Sequence, residues 1–270
     1  MVRETDLRIP FAQIDAFADA PFAGNPAAVM PLASWLDDGT LLAVAQENNL
    51  SETAFLVPDD SGEADFELRW FTPDHEVRLC GHGTLASGHF VLSSGDDRSG
   101  VRFRTRKAGV LEVAREDAGY RMALPAWPPA PRDVPGLAEA LGVAPAATLF
   151  EARGYALAIL ADEAAVRAVA PEMRALAALG RWVIIVSAPG EATDVVSRVF
   201  VPAYGIDEDP VTGAAHAVMV PYWAERLGRD RFAAFQASAR GGRLGCALAG
   251  DRVVLTGDCV TVIEGTFLLP

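Results

Sequence analysis

The chain has 270 residues, 51% of them hydrophobic and 22% charged, which supplies core for one large domain or two ordinary ones and excludes intrinsic disorder. The 36 Asp and Glu against 23 Lys and Arg leave a formal charge of −13, the wrong sign for wrapping nucleic acid. With no signal-peptide h-region, no apolar run of bilayer length and only Cys80, Cys246 and Cys259, the expectation is a cytoplasmic protein with reduced thiols and no membrane partner.

In chain order, the alternation over 11–17 predicts a strand, Pro21 to Pro26 a turn, and 27–32 a second strand. The spacing of Leu41, Leu42, Val44 and Ala45 predicts a helix over 35–48. Residues 53–57 and 66–71 read as short strands stopped by Pro58 and Pro73, and 84–92 as a short helix of small residues. A hairpin over 101–115 turns at Ala108 and Gly109, and a further strand covers 120–124. Five prolines over 125–135 mark an extended linker, which divides the chain into domains 1–127 and 128–270. Beyond it come a helix at 137–141, strands within 148–160, and helices over 163–179 broken at Pro171. Strands at 182–186 and 195–201, a helix over 214–227 containing Pro221, and strands from 237 to 269 complete the pattern. Strands outnumber helices and several pair through tight turns, which favours α+β over a doubly wound sheet.

A weak internal repeat stands out. Arg69-Trp70-Phe71-Thr72-Pro73 recurs as Arg198-Val199-Phe200-Val201-Pro202. Each copy is followed by a glycine turn into a helix of small residues, Cys80-Gly81-His82-Gly83-Thr84 in the first and Asp209-Pro210-Val211-Thr212-Gly213-Ala214 in the second. Such helix starts present backbone N–H groups and a positive dipole end, which suit a carboxylate or an enolate oxygen. A glycine that only shapes a turn is the bland alternative for either site taken alone.

Around these turns lie the candidates for chemistry. His82, between two glycines, would project its imidazole from a tight turn, which makes it a better acid/base than His75, His89 or His216. Asp209 either caps the following helix or takes part in catalysis. Glu52 sits in the polar knot Asn48-Asn49-Leu50-Ser51-Glu52-Thr53, and a partly desolvated acid at the entrance to a buried strand suits proton transfer. Cys80, one residue before a helix start, would have a lowered pKa and could serve as a base, although the second copy has Thr212 in its place. Lys107 is the only lysine and lies in a basic turn, poorly placed for a Schiff base; the scattered histidines lack ligand spacing, and no nucleotide-binding loop is visible. The expectation is therefore no cofactor and no metal.

The stretches Phe22-Ala-Gly-Asn-Pro-Ala-Ala-Val29, Asn49-Leu-Ser-Glu-Thr-Ala-Phe55, Phe71-Thr-Pro73, Cys80-Gly-His-Gly-Thr84 and Glu208-Asp-Pro-Val-Thr-Gly-Ala-Ala-His216 together resemble the PhzF-like isomerase family of phenazine biosynthesis. The resemblance implies a diaminopimelate-epimerase-like fold: two pseudo-symmetric α+β domains, each a curled sheet around a central helix, with a final strand near 260–270 returning to the first. It also implies a homodimer and a cofactor-independent proton transfer on a small carboxylic acid bound between the domains. Glu52 resembles the proton shuttle, with His82 and Asp209 as its partners. Ser51, Gly81, Gly83, Thr212, Gly213 and Ala214 fall at substrate-contacting positions, with Cys80 a possible accessory. One departure is that Ala214 stands where the family has a serine, so a hydroxyl suited to the substrate carboxylate is missing. The rivals are an amino-acid racemase or epimerase using Cys80 as one base, and a binding protein on the same scaffold that has lost turnover.

Overall fold

The structure, a computed structural model, describes residues 7–95, 97–117 and 119–269. In chain order the first elements are β1 (Leu7–Ala16), β2 (Asn25–Pro31), α1 (Asp38–Asn48), β3 (Glu52–Pro58), β4 (Phe66–Phe71), β5 (Glu76–Val77), α2 (Gly81–Ser93), β6 (Gly100–Thr105), β7 (Val110–Glu116) and β8 (Gly119–Pro125). They are followed by β9 (Ala130–Pro131), α3 (Leu137–Leu141), β10 (Ala147–Glu151), β11 (Tyr155–Ile159), α4 (Glu163–Ala168), α5 (Met173–Ala178) and β12 (Val183–Pro189). The last are β13 (Val195–Phe200), β14 (Glu208–Asp209), α6 (Gly213–Leu227), β15 (Arg231–Gln236), β16 (Gly242–Ala249), β17 (Arg252–Gly257) and β18 (Cys259–Leu269). The chain divides into two units, one running to Ala123 and resuming at Thr256, the other spanning Leu124–Leu255. No helix among the described residues is long and apolar enough to cross a membrane.

In the first unit the strands run side by side in the order β18, β1, β2, β3, β4, β6, β7, β8, with β2–β3 and β4–β6 parallel and the rest antiparallel. α2 packs against β1, β2 and β3 and also against β6 and β7, so the sheet curls around it. A helix enclosed this way must be apolar and small on every side. α2 is: Gly81 to Gly88 are all buried, as are Val91 and Leu92. Its two buried hydroxyls turn back on the helix itself, Thr84 Oγ1 donating to the Cys80 carbonyl at 2.6 Å and Ser87 Oγ to the Gly83 carbonyl at 2.7 Å. α1 packs on β3 and β4, where Leu41, Val44 and Ala45 join Met30, Phe55 and Phe71 in a common core.

The second unit repeats the plan. β10–β11 is antiparallel, β11–β12 parallel, β12–β13 antiparallel, β13–β15 parallel and β15–β16 antiparallel, the same succession as β1–β2, β2–β3, β3–β4, β4–β6 and β6–β7. α6 takes the place of α2, touching β11 and β16. The short repeat in the sequence is the signature of this duplication. Arg69 grips Glu76 with two hydrogen bonds of 2.8 and 2.9 Å, and Arg198 grips Glu208 with the same two distances. Each guanidinium lies 4.9 Å from the ring centre of its own Phe, Phe71 or Phe200. The clamp fastens the two-residue strand β5 to β4, and β14 to β13, immediately before each central helix. Remaining donors differ: Arg69 also reaches Asp38 at the start of α1 (2.8 Å), whereas Arg198 donates to the Val169 carbonyl at the end of α4 (2.7 Å). A cation suits that end of a helix dipole.

Four local expectations need correction. Asn25 and Pro26 belong to β2 and not to a turn, since Asn25 already pairs with Ala16. α1 begins at Asp38 because Asp37 caps it, its carboxylate accepting from the Thr40 N–H at 3.0 Å; Trp35 instead donates to Glu67 and lies under Arg69. Gly81, His82 and Gly83 form the first turn of α2 and do not precede it. β15 ends at Gln236 where a strand was expected to begin at 237, because its inward face carries a buried glutamine that breaks the apolar alternation. The proline-rich segment is extended, but it is tied down by β9 and by hydrogen bonds from the Ala126 and Trp127 N–H groups to Asp251 and Ala217.

One of the tightest points of the first unit is Gly88, where an added Cβ would lie 2.3 to 2.5 Å from the Val113 side chain on β7. Gly88→Ala should lower unfolding stability by about 1–3 kcal/mol, the usual range for overpacking, as read by urea denaturation. An unchanged midpoint would show that α2 and β7 are not held so closely.

Candidate active site

The first unit brings Glu52, Cys80 and His82 together. Glu52 opens β3, paired in register with Ala27 of β2, and His82 lies in the first turn of α2. His82 Nε2 is 3.0 Å from Glu52 Oε2, close enough for an ion pair, although the oxygen lies off the line of a good hydrogen bond. The imidazole does not project from a turn as expected; it is 4% exposed, while the Glu52 side chain keeps 17% of its surface open. Burial opposes charge on the ring, but Cys80 and the Glu52 carboxylate outweigh it and hold the His82 pKa well above the ordinary imidazole value. On its other side His82 Nδ1 meets Asn25 Nδ2 at 3.2 Å.

Cys80 behaves differently from the sequence expectation. Burial pushes its thiol pKa up, and the nearby Glu52 carboxylate pushes further, so it is a neutral thiol and not an activated base. The Cys80 sulfur serves as the N-cap of α2, accepting from the Gly83 N–H at 3.3 Å. Gly83 is glycine for a packing reason, since a Cβ there would lie 2.9 Å from that sulfur and 3.0 Å from Trp70.

Glu52, Cys80 and His82 also offer three potential metal ligands whose donor atoms lie within 4.8 Å of one another. The sulfur is 3.7 Å from Nδ1 and 3.9 Å from Nε2.

The second unit groups Asp209, Thr212, Gly213 and Ala214. Thr212 is the N-cap residue of α6 but makes no side-chain capping bond; its hydroxyl donates to Asp209 Oδ2 at 2.5 Å. Gln236, fully buried at the end of β15, fixes the turn from behind. Its Oε1 accepts from the Thr212 N–H at 2.9 Å and its Nε2 donates to the Asp209 carbonyl at 2.7 Å. Gly213 and Ala214 form the first residues of α6. Ser51 directly precedes β3 and is half-buried, and Gly81 starts α2.

The duplicated pairing allows the two units to be compared position by position. Phe71 pairs with Thr53 and Phe200 with Ile184, so Glu52 corresponds to Val183. Trp70 pairs with Val77 and Val199 with Asp209, so Asp209 corresponds to Val77. Aligning the helix starts on Gly81 and Gly213 matches Cys80 with Thr212 and His82 with Ala214. The scaffold is repeated, but the titratable groups are not.

The model of the phenazine biosynthesis-like protein family matches residues 14–265. The chain belongs to that family. It is 48% identical to an uncharacterized isomerase of Pseudomonas aeruginosa over 265 residues, covering 97% of this chain and 100% of the relative. A PhzF-family crystal structure from Enterococcus faecalis superposes with a TM-score of 0.89 at 38% identity, covering 97% of this chain and 99% of that one. A hydroxyproline epimerase from Agrobacterium vitis shares only the fold, at 12% identity and a TM-score of 0.65 over 100% of this chain and 94% of its own.

Sequence reasoning about this family member missed Asn25 and Gln236. Gln236 left a trace, a lone polar residue closing the inward face of a strand. Asn25 lay in a stretch that carries the family resemblance but read only as a turn, because an asparagine before a proline is a common turn signal.

His216, in the first turns of α6, is fully buried with Nδ1 donating to the Thr212 carbonyl at 2.8 Å; burial lowers its pKa to about 4. The folded pKa lies below the unfolded one. Its share of stability is therefore complete above about pH 6.5 and is lost as the pH falls toward 4, amounting to about 3 kcal/mol. His216→Gln should flatten that part of the stability-versus-pH curve in denaturant titrations between pH 7 and 4. A slope identical to the wild type would show that His216 is not the titrating group.

Proposed function

We propose that this protein is a cofactor- and metal-independent isomerase that moves a proton on a small carboxylic acid, with Glu52 as the group that removes and returns it. The observation that carries the reading is the asymmetry within a duplicated scaffold: Glu52 occupies a position that is Val183 in the other unit. A two-base racemase would need a second base of comparable reactivity across from the first. Cys80 is a capped, neutral thiol and its counterpart is Thr212, so that alternative lacks its second base. One base that removes a proton and returns one elsewhere, after exchange with solvent, fits isomerisation, and the Pseudomonas aeruginosa relative is named an isomerase.

The chemistry follows from the groups present. The partly open Glu52 carboxylate takes a proton from a carbon acidified by conjugation. His82, 3.0 Å from Oε2, steadies the carboxylate before transfer and keeps its orientation while it holds the proton. Enolate or carboxylate oxygens are served by backbone N–H groups at the start of α6, where Thr212 leaves capping unfilled by giving its hydroxyl to Asp209. A compact acid is favoured over a polyanion because the chain carries a net charge of −13.

The test is deuterium incorporation from D₂O into a panel of small conjugated and β,γ-unsaturated carboxylic acids, followed by mass spectrometry. Glu52→Gln should reduce incorporation about 10²–10⁴-fold, the usual contribution of a general acid–base, with an unchanged circular dichroism spectrum. Near-wild-type exchange in that variant would remove Glu52 from the shuttle role.

Metal independence is tested separately on the active acid. Dialysis against EDTA should leave the exchange rate unchanged, and loss of activity restored by a divalent ion would overturn metal independence.

A further inference from the structure

Beyond the proton shuttle itself, the geometry points to Asn25 as the residue that positions His82 and lets it hold or release charge. Asn25 is completely buried and its side-chain Nδ2 lies 3.2 Å from His82 Nδ1, while Nε2 on the opposite side of the ring faces Glu52. The ring thus meets a side chain at each nitrogen, from two different strands, β2 and β3.

The chain goes to some length to deliver this amide. Gly24 has φ +63°, and a Cβ there would sit 2.2 Å from the Ala16 carbonyl oxygen, so only glycine closes the approach. Two residues earlier Phe22 is also left-handed, at φ +71°, held by its N–H donating to the buried Asp15 carboxylate at 2.8 Å. From this constrained loop the chain enters β2 with Asn25 opposite Ala16. Pro26 follows and locks the backbone in the extended form.

An amide is suited to the task because its two ends have opposite polarity. With Nδ2 toward the ring, Asn25 donates to a bare Nδ1, and the ring proton sits on Nε2, facing Glu52. Turned over, Oδ1 accepts from Nδ1–H and supports the imidazolium that pairs with a Glu52 carboxylate. Asn25 therefore accommodates both protonation states of His82 as Glu52 gains and loses the substrate proton. A carboxylate at 25 would lock the ring in its charged form, and an alkyl group would leave Nδ1–H without an acceptor.

This inference rests on Glu52 and His82 being the proton-handling pair, but its test does not need turnover. His82 is titrated by NMR through its imidazole carbon and nitrogen shifts in the wild type, Asn25→Asp and Asn25→Leu. The expected result is a pKa about one unit or more higher in Asn25→Asp and lower by a similar amount in Asn25→Leu. A residue that merely filled space would change the melting temperature without moving the two titrations in opposite directions. Asn25→Asp is nearly isosteric and keeps the assay available if the leucine variant does not fold. An unmoved His82 titration in folded Asn25→Asp overturns the proposal. Loss of the Glu52 role in the exchange assay, with the opposed shifts intact, would instead overturn only the reaction.

Discussion

The constraint on which the rest of the structure depends is the enclosure of α2 by its own sheet. A helix surrounded by strands on nearly every side must be built from small residues, and its first-turn N–H groups cannot all rely on water. α2 meets the first demand with glycine, alanine, serine and threonine between Gly81 and Gly88. It meets the second with the sulfur of Cys80, an unusual cap that costs little because a buried neutral thiol behaves as a small apolar side chain. That enclosure also forces His82 inward, next to the strand openings where Asn25 and Glu52 are found. The candidate chemistry is a consequence of how the helix is buried.

The paired Arg–Glu clamps show how one local device can anchor a duplicated architecture. In both units an arginine on the fourth strand holds a glutamate on a two-residue strand and stacks near its own phenylalanine. Bidentate guanidinium–carboxylate geometry is directional, so it fixes the chain just before it turns into the central helix. The two clamps then diverge, Arg69 bonding to Asp38 and Arg198 to backbone carbonyls at the end of α4. The common part serves the fold, and the divergent part serves each unit's own outer helix.

Function enters where the duplication is broken. Glu52 matches Val183, His82 matches Ala214 and Asp209 matches Val77, so neither unit holds the complete set of titratable groups. The scaffold is repeated, whereas the side chains at these positions are not. A hydroxyproline epimerase adopts the same fold, so the fold by itself does not decide the reaction.

The amino-acid sequence by itself determined the α+β class, the repeat and most of the longer strands, because these are written in local apolar periodicity and in glycine and proline punctuation. It also singled out Glu52, His82 and Asp209 by residue type and by family resemblance. Only tertiary structure decided the rest. Cys80 was expected to have a lowered pKa and is a neutral cap, because desolvation, which acts through neighbours distant in sequence, outweighs the effect of the helix start. His82 was expected to project and is enclosed, because the sheet curls over the first turn of α2. Asn25, 57 positions from His82, becomes its partner only when β2 lies beside the start of that helix. Local patterns report how a segment can fold, whereas desolvation and hydrogen-bond partnership depend on which segments the fold brings together.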